Sequence, residues 1–152
     1  MAAKSQLQDD LTAAMRSRDD IAVATLRMLL AAVRKAEVAG KSQVELSDDQ
    51  LIGVVRSELR KRTEASEMYR TGGRPELADR EAAEADVLRR YLPAQMDDDV
   101  LQEIVTEEVA RAAADGITGP KAMGSVVKAV RERVGTEAEG ARVAAAVKEA
   151  IQ

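Results

Sequence analysis

The chain has 152 residues, enough for one ordinary domain or two small helical ones, which excludes a large multidomain enzyme. It contains neither Cys nor His. That removes thiolate or imidazole zinc sites, disulfides, Cys–His and Ser–His–Asp nucleophiles and imidazole acid–base catalysis. The net charge of −4, from 23 basic and 27 acidic side chains, excludes strong nonspecific affinity for nucleic acid but leaves room for a focused local contact.

Alanine fills 28 positions, Phe and Trp are absent, Tyr occurs twice and Pro three times, a mixture that suits helix interiors and lacks the aromatic and β-branched balance of sheets. An all-α fold follows. Leu, Ile and Val together occupy 33 positions, so a core is feasible but lean. The longest apolar run, Met28 to Val33, is too short for a membrane span, and the polar start Met-Ala-Ala-Lys-Ser-Gln is no signal peptide. These features predict a soluble, cytoplasmic protein with no membrane partner; they leave the oligomeric state open.

In chain order, Leu7, Leu11, Ala14 and Met15 follow helical spacing, and a second stripe runs through Val23, Leu26, Leu30 and Val33 after a break at Asp19-Asp20. A polar loop from Gly40 ends at Ser47-Asp48-Asp49-Gln50, a capping box that Leu46 and Leu51 reinforce as a hydrophobic staple. The third helix runs from Asp48 to about Thr71, where Gly72-Gly73 stops it. A fourth starts at Arg74-Pro75 and ends at Leu92-Pro93, because proline lacks the donor and disfavours helical geometry in the residue before it. The domain boundary falls there, giving an N-terminal helical-hairpin domain of about four helices at 1–92 and a small three-helix domain at 93–152. Asp97 caps the fifth helix, which Gly116 stops; Pro120 lies in the first turn of the sixth, which Gly135 stops; Val143, Val147 and Ile151 mark the seventh.

Three separated motifs carry a family resemblance: Thr25-Leu26-Arg27-Met28-Leu29-Leu30-Ala31-Ala32, Tyr91-Leu92-Pro93-Ala94-Gln95-Met96 and Met123-Gly124-Ser125-Val126-Val127-Lys128. Their order and spacing resemble the YqeY family, also called GatB/YqeY domain proteins, over essentially the whole chain. The resemblance implies a C-terminal part similar to the tail domain of the B subunit of the glutamine-dependent tRNA amidotransferase, whose implied task is to hold tRNA while other domains do the chemistry. The implied partners are therefore tRNA and proteins of tRNA synthesis or amidation. One departure bears on this. After the sixth helix the family pattern is commonly Gly-Arg-Ala-Asp-Gly, whereas this chain reads Gly135-Thr136-Glu137-Ala138-Glu139-Gly140. The glycines keep the turn, but an arginine is lost and an acid gained, which weakens any approach of this turn to phosphate.

The leading site candidates are Lys121, Lys128, Arg131 and Arg133. Residues 116–134 carry these four bases against Glu132 alone, while 97–115 carries seven acids against Arg111 alone. The bases suit RNA phosphates; the alternative is a solvated face balanced by the acidic fifth helix. No aromatic side chain interleaves them, so base stacking is not on offer. Gly124 weakens its helix and points to close packing by a neighbouring helix or, less readily, to a ligand. Arg56, Arg60, Lys61 and Arg62 form a second basic cluster on the third helix, read first as a solvated face with Glu58–Arg62 and Arg60–Glu64 pairs, and otherwise as an RNA or partner surface. Asp97, Asp98 and Asp99 at a helix start are explained by capping and the helix dipole rather than by a metal. Glu81 and Glu84, one turn apart, lack a second catalytic group and read as structural. No catalytic residue, metal or cofactor is assigned.

Three functions compete on this basis. The first is a noncatalytic helical module, tRNA-binding or accessory to the amidotransferase. The second is a protein-interaction adaptor that uses a groove and binds no RNA. The third is a glutamine-dependent carbon–nitrogen ligase, for which the chain has neither a cysteine nor the glycine- and serine-rich stretch of a Ser–Ser–Lys amidase.

Overall fold

The computed structural model describes residues 3–152, which divide into two compact units that part between Leu92 and Pro93. Every regular element among the described residues is helical.

In the first unit, α1 (Lys4–Ser17) and α2 (Asp20–Glu37) form a hairpin. The chain reverses at Arg18, whose φ of 57° is left-handed, and at Asp19, whose carboxylate accepts a 3.1 Å hydrogen bond from the Ala22 N–H and caps α2. The far end is tied by Lys4 Nζ, 2.9 Å from Oε2 of the buried Glu37. The second hairpin joins α3 (Asp48–Thr71) to α4 (Pro75–Arg89) through Gly72-Gly73, where Gly73 takes a φ of 75° that only glycine adopts without strain. Ser47 and Gln50 form both halves of the capping box. Deep in this hairpin the Ser66 hydroxyl donates to the Ala78 carbonyl at 2.8 Å, and both residues are buried. The core combines Leu7 of α1, Leu26, Leu29 and Val33 of α2, Leu51 and Val55 of α3 and Leu88 of α4, and Leu46 packs on its edge. Regular α-helix stops at Arg89, short of the expected Leu92. The Tyr91 and Leu92 N–H groups bond to Leu88 and Arg89, three residues back, so the approach to Pro93 is a tightened turn.

The second unit holds α5 (Asp98–Ala114), α6 (Met123–Val134) and α7 (Gly140–Ile151). Two short 3₁₀ turns, Gly119–Ala122 and Gly135–Glu137, precede α6 and α7. Pro120 belongs to the first of these rather than to α6, because the Met123 N–H reaches only to the Pro120 carbonyl, three residues back, which is the bond of a 3₁₀ turn. Asp97 stands at the α5 N-cap, yet its side chain makes no cap hydrogen bond; the helix is closed by the backbone bond from Leu101 to the Asp97 carbonyl. Leu101, Val105, Val126, Val130, Val134, Val143 and Val147 fill the core, each at most 3% exposed. Valine thus supplies six of these seven side chains.

Candidate nucleic-acid interface on α6

Burial of Val126, Val130 and Val134 fixes the rotation of α6, since residues four apart share a face. The opposite side presents Gly124, Ser125, Lys128, Arg131 and Glu132, with Lys121 exposed in the turn just before. Among the described residues Lys121, Lys128 and Arg131 have no ion pair. Arg133 differs. Its Nη1 lies 2.7 Å from Glu107 Oε2 and 3.1 Å from Glu108 Oε1, so it ties α6 to α5. Hydrogen bonds to those two carboxylates raise its pKa further above an already basic value. Glu108 is buried and also accepts from Arg111 at 3.2 Å, which makes this triad part of the scaffold. The four bases singled out in the sequence therefore separate into three that face outward and one that is engaged. Sequence balance alone signalled that α5 and α6 compensate each other; it did not signal that Arg133 is the residue through which they do so.

The expectation of close helix packing at Gly124 is overturned. A Cβ built there meets nothing within 4 Å. Gly124 instead borders an open depression of about 440 Å³ shared with Val127, Lys128, Arg131 and Glu132. The Arg131 guanidinium also passes 3.7 Å from where a Cβ of Gly140 would stand, at the start of α7. Of the acids at the start of α5, Asp98 is taken by Arg142, whose guanidinium also donates to the Met96 carbonyl and so fastens the lead-in to α5 against α7.

The second basic cluster does not form one patch, and its reading as a solvated face fails at Arg62. That side chain is 16% exposed and turned into the α3–α4 hairpin, 3.3 Å from Glu81, 3.6 Å from Glu84 and 3.7 Å from Glu58. Lys61 lies outside it, 3.1 Å from Glu58, and Arg80 is 3.5 Å from Glu84. Arg60 is exposed and Arg56 half-buried. Glu81 and Glu84 are thus partners of Arg62, not a free carboxylate pair. The first unit also has a recess of about 470 Å³ between α1 and α4, at whose wall the Tyr91 hydroxyl donates to Asp10 Oδ2 at 2.7 Å. Burial, then that bond, push the Tyr91 phenol well above its ordinary pKa.

A profile described as "Yqey-like protein" matches residues 4–151. The chain belongs to this family. Its relatives include two proteins named altered inheritance of mitochondria protein 41, mitochondrial. The one from Clavispora lusitaniae is 24% identical over 66% of this chain and 59% of its own length, and the one from Pyrenophora tritici-repentis is 26% identical over 84% and 71%. An uncharacterised protein of Schizosaccharomyces pombe is 30% identical over 57% of this chain and 69% of its own length. The match to the first thus spans less than two thirds of that relative. This member of the Yqey-like family is an all-helical module, and no helix among its described residues is long and apolar enough to cross a membrane.

Proposed function

We propose that this chain is a noncatalytic module that holds structured RNA of the tRNA class through phosphate contacts from Lys121, Lys128 and Arg131, and so serves as an accessory to an enzyme of tRNA amidation. One observation carries the reading. Three exposed cations, Lys121 in the turn before α6 and Lys128 and Arg131 on its outward side, have no acid partner among the described residues, while the fourth, Arg133, is tied down by α5. Surface cations that neutralise phosphates displace the counterions condensed on the RNA, and the release of those ions is the driving force of such binding. Phosphate contacts of this kind position an RNA without reading its sequence. The tRNA class itself comes from the likeness of residues 93–152 to the amidotransferase tail. The cytoplasm suits a chain without cysteine; the names of the two mitochondrial relatives make the mitochondrion the competing location.

The test is to change Lys121, Lys128 and Arg131 together to Glu and to measure tRNA binding over a range of salt. Wild type should bind at micromolar affinity or weaker, with a log–log salt slope of roughly −2 to −3, as neutralising about three phosphates requires. The triple variant should keep its helix content and lose both the affinity and the slope. Unchanged affinity and slope in the folded variant would return α6 to a solvated face.

A further inference from the structure

Gly124 weakens an exposed helix relative to alanine, and no neighbouring atom accounts for it. Since a Cβ would enter open space, the packing of this unit does not require glycine here, and the position is open to the close approach of a ligand. The depression it borders is lined by Val127, Lys128, Arg131 and the acid Glu132. Ser125 sits beside it on the exposed side. Its hydroxyl donates back to the Ala122 carbonyl at 3.2 Å, which leaves the oxygen lone pairs free to accept. Both tyrosines of the chain precede residue 93, so this unit offers no aromatic platform for splayed bases. The surface is therefore shallow, lined by two cations and one acid, flanked by a hydrogen-bond acceptor and without a π face.

Those properties suit one form of RNA. A single strand is held by stacking, which is missing, whereas an A-form stem presents a wide, shallow minor groove lined by 2′-hydroxyl donors and flanked by phosphates. Resting on the RNA-binding reading above, we propose that the Gly124 depression seats the minor-groove edge of a paired RNA stem. Lys128 and Arg131 meet the phosphates, Ser125 accepts from a ribose hydroxyl, and the missing Cβ of Gly124 lets the sugar edge lie against the helix backbone. Gly124 is then a specificity-determining position that carries no charge.

The experiment compares the full chain with its Gly124→Leu variant on four probes: a fully paired RNA hairpin, a DNA hairpin of the same sequence, a single-stranded RNA of equal length and inorganic polyphosphate. Wild type should prefer the RNA hairpin to the DNA hairpin and to the single strand by about tenfold, the size of losing one or two hydrogen bonds. Gly124→Leu should erase that preference, leave polyphosphate binding unchanged because every cation remains, and keep or raise the melting temperature because leucine is the better helix former. Equal binding of paired and single-stranded RNA by wild type overturns the stem proposal while RNA binding stands, as does an unaffected preference in the leucine variant. Loss of helix content in that variant shows the position to be packed and overturns it too. If wild type binds no RNA, both the stem proposal and the reading beneath it fall.

Discussion

Arg62 on α3 and Lys128 on α6 are both basic residues on polar helix sides, and they stand in opposite circumstances. Arg62 is drawn into its own hairpin by Glu58, Glu81 and Glu84, whereas Lys128 has no ion pair among the described residues. The difference lies in the neighbours. In the α3–α4 hairpin small residues such as Ser66, Ala78 and Ala85 let two helices come close, which places carboxylates of α4 on a guanidinium of α3. On α6 the side away from the valine core faces no helix of its unit, and only Arg133, at the border with α5, finds acids. A cation inside a hairpin is part of what holds the fold; one on an open side is at the disposal of a partner.

The strongest way to break this contrast is to remove Arg62. Arg62→Met leaves three largely buried carboxylates converging without their central cation, and unfolding by urea should show a loss of about 3 kcal/mol. Adding Glu81→Gln and Glu84→Gln to that variant should restore part of the loss. A change below about 1 kcal/mol would mean that water screens the cluster as it would a surface pair.

Tyr91 gives a smaller effect of the same kind. Tyr91→Phe removes its hydrogen bond to Asp10 and should cost about 1 kcal/mol. The sign of its pH dependence follows from the raised phenol pKa. Above pH ~10, the ordinary tyrosine value, the unfolded chain loses this proton while the folded chain keeps it, so stability falls as pH rises beyond that point and is fully present below it. In a Tyr69→Phe background, which leaves Tyr91 as the lone phenol, ultraviolet titration should place its ionisation above that value. A midpoint at or below pH ~10 would contradict the buried bond.

The smallest effect should come from α6. Lys128→Ala and Arg131→Ala should each move stability by no more than about 0.5 kcal/mol, since no internal partner is lost. A larger destabilisation would make these residues scaffold, like Arg62, and blunt the comparison.

What could be read from the sequence divides along the same line. The capping box at Ser47 and Gln50, the stop at Gly72-Gly73 and the valine stripe of α6 depend on residues a few positions apart, so the all-helical fold and most helix limits were legible. The environment of Arg62 was not, because spacing shows Glu58 four residues away but not which face of α4 turns towards it. Gly124 failed for a related reason. Its cost to the helix is a local matter, whereas the presence or absence of a neighbour depends on tertiary placement. At the candidate site, composition pointed to four bases on one segment, and only the rotation of α6 against α5 separates Arg133 from Lys121, Lys128 and Arg131.

The valine core of the second unit bears on how so short a segment keeps a defined shape. A unit of this size covers a smaller share of its surface than a large domain does, so each ordering penalty weighs more heavily. Valine in a helix has one strongly preferred χ1 rotamer and no further torsion to freeze, while longer side chains surrender several degrees of freedom when buried. Val105, Val126, Val130, Val134, Val143 and Val147 therefore lose little rotational entropy as they pack. They also leave few alternative arrangements of the interior. Were a partner to dock on the outward side of α6, it would meet a helix whose inner face is already set by single-rotamer side chains.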